Sequence, residues 1–323
     1  MSASATLVEL GNFHLECQEK CKEWLEEQFQ TQKEIRIETC ADFLEDFIQI
    51  KYPLAFPVSI NVNDVAAHSF PTLRGKETMK ATDLIKIDFG MYHPKNGYLI
   101  DSAFSYSQDP INQSLIDISQ EATDLGIHMI RVDQRLDEIG AAIQECIESH
   151  ELLEHPVRSI WELSGHSIDA YRIHAGLAVP NVRLPVSMKY EKKVVGGYSY
   201  AVETFPTIGT GNLIKREVGP SQKSYMHRWC KKKTTFENEI EEFLWNTYRT
   251  FDFSMRTLFR DLQKMNQKEK FLPCLKFVES HPLIYEAYPP LWAEPYLNRK
   301  CYVAQVEKNI WIDPHTEKRI VLT

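Results

Sequence analysis

The chain has 323 residues, of which 43% are hydrophobic, and a formal net charge of −8 at pH 7. A chain of this length buries a large core, and it fits either one large α+β domain or a domain that carries an insertion. The acidic balance argues against a DNA partner, and the absence of an apolar run of roughly 20 residues argues against a membrane span.

Two helices are predicted at the N-terminal end. Residues 8–30 and 39–50 repeat apolar side chains at helical spacing, and Thr39 is the expected N-cap of the second helix. Cys17 and Cys21 lie on the apolar stripe of the first helix, which favours core cysteines over zinc ligands. The odd total of seven cysteines and the lack of a secretory apolar segment indicate reduced thiols, so we expect a cytoplasmic protein.

A strand at 59–63 is followed by a predicted β-hairpin, whose strands lie on either side of a turn at 93–97. We expect the hairpin to place Asp88 and Asp101 directly opposite each other on one face. Like charges repel there, and more strongly in a half-buried sheet, so a divalent cation is the expected neutralising group. Two alternatives stay open from the hairpin alone: a solvated face, or a register in which the two aspartates point apart.

Four further elements are predicted, namely helices near 111–130 and 135–150 and strands at 199–205 and 302–307. The stretch of about 220–290 changes to helical spacing, with a helix at 235–250. We therefore expect residues 1–323 to form a single catalytic domain in which 220–290 is a mostly helical insertion. The three lysines at 231–233 are expected to form a solvated turn, with contact to ribosomal RNA as the alternative.

Nine short motifs follow one another from near the N-terminus to the C-terminus. They are Phe56-Pro57, Ala66-Ala67-His68, Lys86-Ile87-Asp88-Phe89-Gly90, Ile100-Asp101-Ser102-Ala103-Phe104, Gly165-His166-Ser167-Ile168, Tyr171-Arg172-Ile173-His174-Ala175-Gly176, Ala201-Val202-Glu203-Thr204-Phe205, Tyr288-Pro289-Pro290-Leu291 and Ala304-Gln305-Val306-Glu307. Together they resemble the type 2 methionine aminopeptidases. The resemblance implies an α+β pita-bread fold, in which two pseudo-symmetric αββ halves surround a dinuclear metal site, with a helical insertion.

The resemblance also implies a set of metal ligands. Asp88 would chelate one ion, His166 and Glu203 would bind the other, and Asp101 and Glu307 would bridge both. Four carboxylates balance the charge of two divalent ions. A ligand set that is rich in oxygen and has a single imidazole suits Mn, Fe(II) or Co better than a structural zinc site, although zinc is a further candidate.

Three residues have implied catalytic roles. His68 would hydrogen-bond the scissile amide nitrogen, His174 would hydrogen-bond the developing oxyanion, and Glu203 would carry the proton. Both histidines would therefore also contact the substrate. The other expected substrate-binding residues are Phe56, Ile173 and Tyr288.

The implied activity is removal of the initiator methionine from nascent polypeptides with a small second residue, by a hydroxide that bridges the two ions. We expect a monomer with transient ribosome contact. One alternative is a proline-directed aminopeptidase, which is disfavoured because only 87 residues precede Asp88. The other is a catalytically inactive pita-bread scaffold that binds peptide or RNA, which is disfavoured because all five ligand positions are kept.

Three departures from the family pattern concern the surroundings of the site. The loop between Asp88 and Asp101 is slightly longer than is usual. Ser164 stands where asparagine is usual, and Ser224 stands where a histidine commonly lines the methionine pocket. We therefore expect unchanged metal chemistry and an altered pocket.

Overall fold

The structure, a computed structural model, describes residues 2–188, 190–217, 224–227, 235–281, 284–296 and 299–323. Its helices are Ala3–Thr31 (α1), Ile37–Gln49 (α2), Pro110–Met129 (α3), Leu136–Glu148 (α4), Glu239–Tyr248 (α5), Met255–Lys264 (α6) and Phe271–Ser280 (α7). Its strands are Ile35–Arg36 (β1), Ser59–Val62 (β2), Val65–Ala67 (β3), Thr78–Met79 (β4), Ile85–Tyr92 (β5), Leu99–Tyr106 (β6), Glu151–Leu152 (β7), His155–Pro156 (β8), Arg158–Ser159 (β9), Ser164–Ile168 (β10), Ala178–Pro180 (β11), Ser199–Thr204 (β12), Pro206–Thr207 (β13), Leu213–Ile214 (β14), Ser224–His227 (β15), Phe253–Ser254 (β16), Ile284–Glu286 (β17), Leu291–Ala293 (β18), Val306–Ile312 (β19) and Arg319–Val321 (β20).

The N-terminal half packs α1 and α2 against a three-stranded antiparallel sheet in the order β2-β5-β6. Cys17 and Cys21 are fully buried in this core, and the six cysteines among the described residues form no disulfide. The predicted cap at Thr39 is wrong, because α2 already begins after Arg36. Pairing of Arg36 with Thr78 holds the preceding chain extended up to that residue, and the helix starts directly after it.

The β5–β6 hairpin forms as predicted, but in a different register. Asp88 pairs with Ala103, and Asp101 pairs with Gly90. The two aspartates are therefore diagonal neighbours on one face, and the expectation that they lie directly opposite each other is wrong. The turn sets this register, because the last pair before it is Tyr92 with Leu99.

The C-terminal half packs α3 and α4 against a five-stranded sheet in the order β11-β10-β12-β19-β20. Its strand β19 begins at Val306, so the predicted strand at 302–307 is displaced. The chain before Val306 has other partners: the Val303 N–H donates to the Asn63 carbonyl and the Ala304 N–H to the Pro206 carbonyl. Only from Val306 onward does the chain align with β12.

The two sheets meet where β6 packs against β19. The Asp101 N–H donates to Oδ1 of Asn309 at 3.0 Å, and the Asn309 amide donates to the Asp101 carbonyl. The Ser102 hydroxyl donates to the Glu307 carbonyl. These buried bonds hold the backbone of Asp101 close to that of Glu307 where the two sheets meet.

The described residues between 224 and 286 contain α5, α6, α7 and a separate sheet in the order β16-β15-β17. They have an apolar core of their own, to which Leu244, Leu258 and Cys274 belong. The predicted helix at 235–250 is α5, and the three lysines at 231–233 lie outside the described residues. Among the described helices, none is long and apolar enough to cross a membrane.

Candidate metal centre

One cavity between the two sheets collects all five predicted metal ligands. Each comes from a different strand of the two central sheets: Asp88 from β5, Asp101 from β6, His166 from β10, Glu203 from β12 and Glu307 from β19. The antiparallel pairing explains the convergence, because residues on one face of neighbouring strands point the same way. Glu203 and Glu307, for example, are direct cross-strand partners.

The ligand atoms of Asp101, His166 and Glu307 all lie within 4.8 Å of one another. Nε2 of His166 is 3.4 Å from Oδ2 of Asp101 and 4.0 Å from Oε1 of Glu203. Asp88 lines the same cavity, and its Oδ2 accepts a hydrogen bond from the Gln305 side chain at 3.3 Å.

The electrostatics of the cavity disfavour charge on each of the four carboxyl groups predicted to bind metal. Burial raises the pKa of Asp88 to about 7. Burial, and then the charge of nearby carboxylates, raises the pKa of Asp101 and of Glu307 well above the usual range. Burial also holds the pKa of His166 well below its usual value, so that imidazole is neutral. A neutral imidazole can coordinate a cation, and a bound cation would offset the burial and mutual repulsion that disfavour the charged carboxylates.

Two buried oxygens give an independent indication that the cavity suits a cation. Oδ1 of Asp88 and Oε1 of Glu307 have no hydrogen-bond partner among the described residues. Buried polar atoms are normally hydrogen-bonded, so two such oxygens in one cavity need an explanation. Oxygen atoms are the ligands that hard divalent cations prefer, and the residues present therefore fit a divalent metal site.

The predicted catalytic histidines, His68 and His174, line the same cavity. His68 has a left-handed backbone (φ 63°), which is uncommon outside glycine and is typical of functional sites. Its Nδ1 lies 3.3 Å from the Pro289 carbonyl oxygen. Nδ1 of His174 lies 2.7 Å from the Tyr288 hydroxyl, and the His174 ring is 4.1 Å from that of His166.

The predicted pocket walls Phe56, Ile173 and Tyr288 line the cavity as well. Asp252 also lines it and is 4% exposed, and the sequence analysis missed this residue. Its one signal in the sequence is an acid placed between two phenylalanines. Ser164 begins β10 opposite Pro180 and is not among the described residues that line the cavity, and Ser224 lies on β15 opposite Ser254.

Comparison with known sequences gives a family and several relatives. The model of metallopeptidase family M24 matches residues 11–215. Methionine aminopeptidase 2 of Dictyostelium discoideum is 44% identical over 170 residues, which cover 51% of this chain and 38% of that protein. Methionine aminopeptidase 2-2 of Arthroderma gypseum is 33% identical over 275 residues, which cover 83% of this chain and 58% of that protein. The chain thus spans less than two thirds of the length of these relatives.

Solved structures share the fold at low sequence identity. A thermophilic Arx1 superposes with a TM-score of 0.73 at 10% identity, over 100% of this chain and 91% of that one. A methionine aminopeptidase from Streptococci superposes with a TM-score of 0.59 at 16% identity, over 100% and 96%. The predicted α+β pita-bread fold is confirmed. With the family model matching residues 11–215, the chain belongs to metallopeptidase family M24, which implies divalent metal ions.

Proposed function

We propose that the chain is a type 2 methionine aminopeptidase, which removes the initiator methionine from polypeptides with a small second residue. The observation that carries this proposal is the convergence of four carboxyl groups and one imidazole on a single buried cavity. Relatives named methionine aminopeptidase 2 support the choice of substrate.

We assign the metal ligands as the family resemblance implies, and the presence of all five residues in one cavity supports this assignment. Asp101 and Glu307 would bridge two ions, Asp88 would complete the shell of one, and His166 and Glu203 that of the other. Mn, Fe(II), Co and Zn all accept such a set. When bound, the ions supply a water of lowered pKa and polarise the scissile carbonyl.

Residues outside the metal shell would bind and orient the peptide. Burial lowers the pKa of His68 to about 4, so its imidazole is a neutral hydrogen-bond partner for the scissile amide. His174, held by Tyr288, would donate to the oxyanion, and Glu203 would carry the proton. Phe56 and Ile173 are 8% and 7% exposed and offer an apolar wall to the unbranched methionine side chain.

The chain would form one catalytic domain in which residues 220–290 are a helical insertion beside the mouth of the cavity. Two described residues of this stretch, Asp252 and Tyr288, line the cavity, which supports that placement. A cytoplasmic monomer that acts on nascent chains, with transient ribosome contact, stays our prediction. An inactive scaffold is disfavoured, because such a role does not require five converging ligands.

Release of free methionine from tripeptides tests the proposal. In the presence of Mn or Co, we expect Met-Ala-Ser and Met-Thr-Ser to be cleaved much faster than Met-Leu-Ser and Met-Lys-Ser. Equal rates for all four peptides would contradict the narrow second-residue site. No release of methionine from any of them would contradict the activity itself.

A further inference from the structure

Asp252 adds an acid to the cavity beyond those that the resemblance assigns to metal binding. It is 4% exposed and lines the same cavity as Asp101, Phe56 and Ile173. Its negative charge is one of those that raise the pKa of Asp101, which places the two carboxyl groups within electrostatic reach of each other.

The backbone around Asp252 indicates on which side of the cavity it lies. The preceding residue, Phe251, belongs to the apolar cluster that contains Phe56 and Ile173. The Phe251 N–H donates to the Tyr248 carbonyl at 2.9 Å, and β16 begins directly after Asp252. Asp252 is therefore held between a helix end and a strand, on the side whose walls would surround the first side chain of a substrate.

An acid in this place changes what the pocket accepts. A methionine thioether has no hydrogen-bond donor, so it offers nothing in exchange for the water that it displaces from a carboxylate. A lysine side chain is also unbranched, and it ends in an ammonium that donates three hydrogen bonds. Lysine can follow the same apolar walls, Phe56 and Ile173, and bring its charge to Asp252.

We propose that Asp252 is a specificity-determining residue that makes the first-residue pocket accept a lysine side chain in addition to methionine. The inference rests on the proposed aminopeptidase function, because it concerns the substrate pocket of that site. In this proposal, the Asp252 carboxylate contacts the side chain of the first residue of the substrate.

The test compares kcat/KM for Met-Ala-Ser, norleucine-Ala-Ser and Lys-Ala-Ser, using the full chain loaded with Mn. For the wild type we expect release of both methionine and lysine. Asp252→Asn keeps the size and removes the charge, and Asp252→Ala removes the group. Both variants should lower the lysine-to-methionine ratio of kcat/KM by roughly 10–100-fold, because the ammonium loses its partner. Norleucine should follow methionine, since it shares the shape without the sulfur.

Asp261→Asn is the matched control. Asp261 lies on α6, where its Oδ2 accepts from the Tyr248 hydroxyl at 2.9 Å, outside the cavity. Its replacement should leave the ratio unchanged. Since the readout is a ratio, partial loss of folded protein does not alter it.

The outcomes separate the two proposals. Release of methionine but not lysine by the wild type, or a ratio that both Asp252 variants leave unchanged, overturns the inference and leaves the proposed function intact. Failure of the wild type to release any first residue with Mn, Co, Fe(II) or Zn overturns the proposed function and the inference together.

Discussion

The Tyr288 hydroxyl lies 2.7 Å from Nδ1 of His174, and it connects two segments that are 114 residues apart in the chain. The Tyr288 ring also packs 5.2 Å from the ring of His68. When the hydroxyl donates to Nδ1, the proton of the neutral His174 imidazole sits on Nε2. That tautomer is the one that can donate a hydrogen bond to an oxyanion.

Tyr288→Phe keeps the ring and removes this hydrogen bond. We expect kcat to fall roughly 10-fold, the effect of one neutral hydrogen bond, with KM little changed, because the bond would orient the imidazole that we assign to the oxyanion. Steady-state kinetics with Met-Ala-Ser measure kcat and KM for the variant and the wild type. Tyr106→Phe is the control, since the Tyr106 hydroxyl accepts from the exposed Gln108 side chain. Equal kinetics of Tyr288→Phe and wild type would remove the positioning role.

Glu307→Gln should make the protein more heat-stable than the wild type without metal, and should remove the further stabilisation that Mn gives the wild type. Burial and the charges of Asp101, Glu203 and Asp88 raise the pKa of Glu307, so a charge at this position destabilises the metal-free protein. In chelator, the variant should therefore have a free energy of unfolding that is higher by on the order of 1 kcal/mol and a Tm that is higher by a few degrees. Mn should then raise the Tm of the wild type and not that of the variant. Thermal unfolding with EDTA or Mn decides this. Glu23→Gln, an exposed change on α1, should behave as wild type, and a Glu307 variant that Mn still stabilises fully would refute the ligand assignment.

His14 should make stability depend on pH. It is fully buried, its Nε2 donates to the Phe89 carbonyl at 2.9 Å, and burial lowers its pKa to about 4 from an ordinary 6.5. Between these values the unfolded chain binds the proton and the folded chain does not. The free energy of unfolding therefore carries no penalty from His14 above about pH 6.5. It decreases as the pH falls towards 4, by up to roughly 3 kcal/mol.

His14→Gln, whose amide can also donate to the Phe89 carbonyl, removes this titration. In urea unfolding from pH 4 to 8, the free energy of unfolding of the variant should depend less steeply on pH. The difference in slope should correspond to at most one proton. Identical pH profiles of the variant and the wild type would show that His14 does not titrate in this way.

Arg256 should anchor α6 to α2. Its side chain is fully buried and bonds Asp42 and Glu45, and Glu45 is 1% exposed. Arg256→Ala leaves that carboxylate with less compensation and should cost about 3–5 kcal/mol in urea unfolding. Lys264→Ala, which removes an exposed pair with Asp46, should cost less than about 1 kcal/mol. Equal costs for the two variants would contradict the anchoring role.

Local patterns predicted the elements that local interactions determine. Alternation and turn residues located β5 and β6, and apolar spacing located α1 to within a few residues at its N-terminal end. The N-cap of α2 was misplaced because the strand pairing of Arg36 with Thr78 ends at Arg36, and the helix begins at the next residue. The distant partner Thr78 cannot be recognised from the local sequence. The start of β19 was misplaced because Val303 bonds Asn63, a partner that no local pattern reveals.

The five candidate ligands, which line one cavity, each lie in a motif that the sequence alone reveals, but their relative geometry could not be predicted from it. The diagonal placement of Asp88 and Asp101 depends on the turn between the strands. Asp252 was missed for a related reason: its position on the cavity wall depends on how β16 and the adjoining helix pack against distant strands. A charge flanked by Phe251 and Phe253 does not by itself distinguish a cavity wall from a surface.

Metal-dependent release of methionine tests the central claim most directly. The protein is stripped with chelator and titrated with Mn, while bound metal and free methionine from Met-Ala-Ser are measured in the same samples. We predict that release is absent in the stripped protein, rises with bound metal and saturates near two ions per chain, and that Asp101→Asn abolishes it. Methionine release that persists in protein without bound metal would contradict the account.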